Sequence, residues 1–333
     1  YLQYACPGAE LNVYADGVYV GKYPLGPFHL AENNPFSYKP GGFLPGAGHG
    51  STMEDITGHF WHTATMRISK NHVFERRVGI WPAGFDEEGN LFCNQRYGDW
   101  PQDVEKFRMD PWAEPEWFLL SYGAKMTASG YEKDHEPSLA ADENVQTWWM
   151  ADTEAPGSFL TMDLDTCANV HAIQINFADD PSSQIKCPGE WKKTPDMERY
   201  IDRKAGYTRW MLEGSLDGEM WFALEDKRNA DTDLSHDLVV SEEGWKLRFL
   251  RFTIEEVPYH VKPCISGLRV FGRAERTLPE VPEYEVRRTG YLDMEVSVEE
   301  QKAVSGYLIL WGNKPEQLYH SCMVMGNCIN YRV

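Results

Sequence analysis

The chain is short of positive charge: 32 Lys and Arg stand against 51 Asp and Glu, a net charge of −19. Binding a phosphate backbone needs the opposite balance, so nucleic acid is excluded as the expected partner. No apolar run approaches the roughly 18 residues that cross a bilayer as a helix, and no membrane insertion is expected. The seven cysteines (Cys6, Cys93, Cys167, Cys187, Cys264, Cys322 and Cys328) contain no Cys-x-x-Cys pair. That spacing excludes a zinc ribbon or a thioredoxin-type site and leaves buried free thiols as the expectation, with a Cys187–Cys264 disulfide as the alternative. No stretch keeps a 3.6-residue apolar period, so helices are not expected to build the fold. An initiator Met is missing as well. Tyr1-Leu-Gln-Tyr4 opens inside an alternating aromatic segment, and the chain is expected to be the back part of a larger protein whose leader would lie upstream.

What is present points to β-structure. Hydrophobic residues make up 42% of 333 positions, enough for packed cores and too much for disorder, over a length that suits two or three domains. Short aromatic strands alternate with Gly/Pro turns in residues 1–112: Leu11-Asn-Val-Tyr14, Gly17-Val-Tyr-Val20, Trp61 to Ile68 and Leu91-Phe-Cys-Asn94. That spacing predicts a meander. Asp110-Pro-Trp-Ala-Glu-Pro115 marks a junction, and a second β pattern fills 113–274. Its runs Ser158 to Leu164, Val170 to Phe177, Phe249 to Ile254 and Ile265 to Phe271 alternate apolar with polar residues, while Pro181 to Gly206 has no periodicity and reads as an excursion loop. Residues 275–333 open with a charged, proline-bearing linker and then start a third β unit around Gly306-Tyr-Leu-Ile-Leu-Trp311. The fold class expected is all-β.

The first segment carries Tyr1-Leu-Gln-Tyr, Pro7-Gly-Ala-Glu10, Val18-Tyr-Val to Pro24-Leu-Gly-Pro-Phe28 and Gly46-Ala-Gly-His-Gly-Ser-Thr52. In that order these motifs resemble glycoside hydrolase family 43. The resemblance implies the last blades of a five-bladed β-propeller acting on arabinose- or xylose-containing polysaccharide. It also implies inverting hydrolysis of O-glycosidic bonds by a carboxylate acid and base, whose separation admits a water. The base, the acid and a third tuning carboxylate would all lie upstream of Tyr1, so no catalytic residue is assigned here and the chain is expected to be inactive alone. The resemblance places His49 at the propeller axis, holding a calcium ion or its water shell, and Arg77 and Glu10 against the sugar. Read from the residues alone, His49 is a loop histidine bonded to backbone carbonyls, and Arg77 a surface arginine paired with Glu75. Glu54-Asp55 reads as a hairpin turn, because neighbours on a strand face opposite ways.

In the second segment, Thr127-Ala-Ser-Gly-Tyr131, Pro137 to Trp149, Glu213-Gly-Ser-Leu-Asp-Gly-Glu-Met-Trp221 and Leu268-Arg-Val-Phe-Gly272 resemble the discoidin, or factor 5/8 type C, jelly roll shared by carbohydrate-binding modules of family 32. The resemblance implies a structural calcium loop at Asp142, Asn144 and Thr147. It departs from the family at Ser266-Gly267, where such modules usually place a Glu. It also implies sugar stacking on exposed loop aromatics, with Trp149 and Trp191 as candidates beside Trp148 and Tyr207. Residues 283–333 resemble the front half of a fibronectin type III domain. Together these imply a secreted or periplasmic protein that meets polysaccharide or oligosaccharide, either as part of a hydrolase or as a non-catalytic carbohydrate-binding or adhesion protein.

Overall fold

In the computed structural model, the described residues are 1–8, 14–67, 76–180, 190–194, 197–201, 206–275, 279–291, 293–301, 304–328 and 330–332. They form an all-β protein, as its alternating segments require. One six-residue α-helix, Val104–Met109, and two single 3-10 turns are the helical elements described. Two compact units emerge, Tyr1–Glu116 with Arg276–Val333, and Trp117–Glu275.

In the first unit, Leu2–Ala5, Ala15–Gly21 and Phe28–Leu30 make an antiparallel meander, with Ser37–Tyr38 also on the middle strand. Gly46–Glu54, Phe60–Arg67, Arg76–Phe85 and Leu91–Cys93 make a second, four-stranded one. The first hairpin of this sheet closes at Asp55, as expected. Asp55 Oδ1 accepts from the Thr57 and His59 backbone N–H groups, and Oδ2 accepts from Trp61 Nε1 and Arg108 Nε. The short helix is capped by Asp103 and buries Phe107 against Trp61 and Ala113. The expected strand at Leu11 to Tyr14 lies, up to Val13, outside the described residues.

Residues 276–333 do not stand apart as the third unit expected from composition. Their strands group with the first unit, and the contacts are specific. Tyr319 stacks on Phe92 and Trp112, and its hydroxyl donates to Asp86 Oδ2 at 2.6 Å. Lys314 Nζ meets Glu88 Oε1 at 2.7 Å, and Gly42 N–H donates to the Met323 carbonyl. Burial pushes the Asp86 carboxyl up, but hydrogen bonds from Tyr319, Asn90 and Glu88 outweigh it and hold the group below its ordinary range.

The second unit is one eight-stranded antiparallel sheet that runs Trp149–Met150, Cys264–Ala274, Ser158–Phe177, His236–Glu256, Arg209–Ser215, Phe222–Asp226, with Lys125–Ala128 and Phe118–Leu119 on its flanks. Alternation places Leu160, Met162, Leu164, Ile173 and Ile175 in a single core with Trp149, Trp210, Leu250, Phe252 and Val270. Burying each large apolar side chain stabilises the fold by about 1.5–3 kcal/mol. Within Pro181 to Gly206, the described residues form a hairpin, Glu190–Thr194 with Met197–Ile201, where no periodicity had announced one. Cys93, Cys264 and Cys322 are buried free thiols, but Cys167 is exposed because it sits in the bulge between Asp163 and Ala168. Cys187 lies outside the described residues.

Candidate functional site

The glycine-rich segment around His49 is itself a strand, Gly46–Glu54, and not the loop its composition suggests. It pairs with Phe60–Arg67, but the register shifts twice, between Gly46 and Gly48 and between Gly48 and Ser51. Bulges of this kind re-aim a side chain, and glycines make them affordable in backbone terms. At the second bulge His49 takes φ 59°, a left-handed conformation that non-glycine residues rarely adopt, and its side chain is exposed. Gly48 and Gly50 cannot be otherwise: a Cβ on Gly48 would meet the Tyr14 ring at 2.7 Å, and one on Gly50 would meet the Thr63 carbonyl at 2.3 Å.

The strained segment is held from beneath by Asp16, 2% exposed on the strand Ala15–Gly21. Its Oδ1 accepts the His49 backbone N–H and its Oδ2 the Gly50 N–H, both at 2.7 Å. His62, fully buried, brings Nε2 to 3.3 Å from the same Oδ2, close enough for a charge contact but out of line for a hydrogen bond. The other face of that imidazole meets Thr52 Oγ1 at 3.0 Å, and Gln3 Nε2 donates to Thr52 Oγ1 at 2.7 Å. Phe36 and Trp81 flank the ring. Nothing in the sequence singled out Asp16 or His62.

Arg77 lies on the same sheet as His49, two strands away. Its row is Gly46–Met66–Arg77, next to the row Gly48–Thr65–Val78 that adjoins His49. Glu10, the third residue assigned to this site, lies outside the described residues, as does Glu75.

The two expected calcium positions differ in the ligands they offer. Calcium takes about six to eight oxygen ligands. His49 offers a nitrogen, and among the described residues no group of three or more His, Cys, Asp and Glu side chains converges. In the 142–147 loop, Asp142 accepts from Asn144 N–H through Oδ1 and from the Thr147 hydroxyl through Oδ2. Burial pushes its carboxyl above the ordinary range, with those two bonds opposing. Glu143, the loop's other acid, is bound to Arg269 through both oxygens at 2.8 Å, deep in the unit. Ser266, standing where an acid would complete the set, bonds Asn176 instead. The loop is a turn closed on itself.

Of the stacking candidates, two are buried. Trp149 is fully buried in the main core and donates its indole N–H to the Gly130 carbonyl at 3.1 Å. Trp148 is buried too, with Met150 and Cys264. Adjacent strand residues point opposite ways, but both faces are covered here. Tyr207 has its ring covered by the Arg209 guanidinium at 4.3 Å, which in turn pairs with Glu256 at 2.8 Å. Trp191 is on the strand Glu190–Thr194, and its side chain lies outside the described residues. Tyr259 is one of several exposed aromatics that the sequence did not single out. It is 47% exposed, and with His260 it forms a left-handed pair, at φ 67° and 53°. His260, but not Tyr259, lines a cleft of about 70 Å³ together with Glu154, Pro156, Glu256, Val257 and Pro263. Pro258 before Tyr259 was the available signal.

No family model matches the chain, and no curated protein matches it. Among solved structures it is similar to CpGH89CBM32-6 produced by Clostridium perfringens, at 16% identity and TM-score 0.35, over 47% of this chain and 100% of that one. It is similar to chitosan-binding module 1 of a chitosanase/glucanase from Paenibacillus sp. IK-5, at 15% identity and TM-score 0.35, over 46% and 99% of the two chains. A glycoside hydrolase is similar at 17% identity and TM-score 0.38, over 80% of this chain and 56% of that one. Likenesses this distant carry no argument about activity.

Proposed function

We propose that the chain is directed at carbohydrate, and that the sheet carrying His49 lines a sugar-binding cleft of the glycoside hydrolase kind, for arabinose- or xylose-containing polysaccharide. The observation that carries this reading is the presentation of His49: an exposed imidazole on left-handed backbone, in the second of two bulges, held by a buried carboxylate. Strain of this order, about 1–3 kcal/mol per residue, persists where surrounding structure over-determines it, and it concentrates at sites that act on something. Arg77, two strands away, supplies a cation with planar donors suited to sugar hydroxyls.

Hydrolysis with inversion needs a carboxylic acid and a carboxylate base about 6.5–9.5 Å apart. Around this sheet, Asp16 is committed to two backbone N–H groups and Asp55 to closing a hairpin. Neither is available as acid or base. His49 and Arg77 therefore bind and orient a sugar ring, and the chain by itself is expected to turn over no aryl xyloside or arabinoside. The test is retention on arabinoxylan in affinity gels: the chain is retarded, His49→Ala and Arg77→Ala each lose at least half of the retardation, and unchanged mobility in both variants contradicts the reading.

A second reading, non-catalytic carbohydrate binding through the unit 117–275, is favoured by the exposed Tyr259 beside His260, which lines a cleft. In that case Tyr259→Ala abolishes retardation and His49→Ala leaves it intact.

A further inference from the structure

We infer that Asp16 and His62 are positioning residues for His49, acting through the backbone and not on the sugar; this rests on the reading of the His49 sheet as a sugar cleft. Three observations converge. Asp16 is nearly inaccessible, yet it aims one oxygen at each of two consecutive N–H groups, those of His49 and Gly50. Carboxylate hydrogen bonds to backbone N–H are roughly twice as strong as neutral ones. They therefore suit the task of holding a residue at φ 59° against its intrinsic preference. Second, Gly50 permits that approach, since a Cβ there would stand 2.6 Å from Asp16 Oδ2 and 2.6 Å from His62 Cε1. Third, His62 backs the carboxylate from below with a polar chain of its own.

That chain has a direction. Gln3 Nε2 can only donate, so Thr52 Oγ1 accepts from it, and the Thr52 hydroxyl proton is left to point at His62 Nδ1. His62 then carries its hydrogen on Nε2, the atom that faces Asp16 Oδ2 at 3.3 Å. Four side chains from four strands thus end on one bulge. A buried imidazole and carboxylate are costly to place unless they do something that apolar residues of the same size cannot. Here they fix the backbone that displays an exposed side chain 13 residues earlier in sequence than His62 and 33 later than Asp16.

The experiment uses the whole chain and NMR, with Asp16→Asn, which keeps the shape but offers one oxygen in place of two, and Thr52→Val, which cuts the relay at a less buried point. Amide exchange at His49 and Gly50 is read first, without sugar. The expected result is exchange at least tenfold faster in Asp16→Asn at one or both amides and a smaller increase in Thr52→Val, with strand amides of the unit 117–275 unchanged. Xylobiose and methyl arabinofuranoside are then titrated while the His49 ring is followed. The ring responds in the unmodified chain and responds at least fivefold more weakly in Asp16→Asn. Unchanged exchange at both amides in Asp16→Asn, with a normal sugar response, overturns the positioning role alone. A His49 ring that ignores both sugars in the unmodified chain, when His49 exchange does depend on Asp16, overturns the sugar-cleft reading and the role built on it.

Discussion

At the scale of single residues, exposure separates what the sequence presents alike. Trp149 and Tyr259 are both aromatic and both near turns, but one is sealed in the core and the other is exposed on left-handed backbone. Trp149→Ala is expected to lower the stability of its unit by about 3–5 kcal/mol in denaturant titration, the range for emptying a large aromatic site. Tyr259→Ala is expected to leave the midpoint within about 0.5 kcal/mol and to weaken any oligosaccharide bound by that unit about tenfold. Asp55 gives a pH prediction. The Thr57 hydrogen bond first, and with it those of Trp61 and His59, hold its carboxyl far below the ordinary range against the opposing effect of burial. A depressed carboxyl contributes stability above its unfolded pKa of about 3.9 and loses it as the pH falls toward the folded value. Asp55→Asn should therefore melt below the unmodified chain at pH 7, with the gap closing below about pH 4. A gap that widens in acid contradicts this. Residues of this class were hard to read beforehand because burial depends on what covers a face. Two adjacent tryptophans look like one inside and one outside until both faces prove to be covered.

At the scale of elements, strands with clean alternation were legible and strands that break it were not. Ser158 to Phe177 and Ile265 to Phe271 could be placed from their period-2 patterns, and the hairpin at Asp55 from its turn chemistry. Gly46–Glu54 could not, because three glycines in five residues signal a loop while the ladder to Phe60–Arg67 continues through two bulges. The hairpin of Glu190–Thr194 with Met197–Ile201 was missed for a related reason: its charged residues give no apolar face to count. The bulged strand yields a direct test. Gly50→Ala forces a Cβ onto the Thr63 carbonyl and Asp16 and is expected to destabilise its unit by about 1–3 kcal/mol, the range for overpacking, with loss of the His49 conformation. If Gly50→Ala melts with the unmodified chain, the close approach at this bulge is wrong.

At the scale of the whole molecule, the all-β class was readable from composition and punctuation. The place of residues 276–333 was not. A proline-bearing linker marks a boundary in sequence but does not say which unit the chain joins afterwards, and Tyr319, Lys314 and Met323 return it to the first. Calorimetry should accordingly show two transitions. Tyr319→Phe removes the hydrogen bond to Asp86, costs about 1 kcal/mol, and should lower one transition by about 2–4 °C while leaving the other in place. A shift in both, or a third transition, contradicts the grouping of 276–333 with 1–116. The measurement that bears most directly on function is a crystal of the chain soaked with an arabinoxylan oligosaccharide. A pentose ring within hydrogen-bonding reach of the His49 imidazole and the Arg77 guanidinium is the predicted result. Sugar seated only at Tyr259 and His260, with the His49 surface bare at saturating ligand, would contradict it.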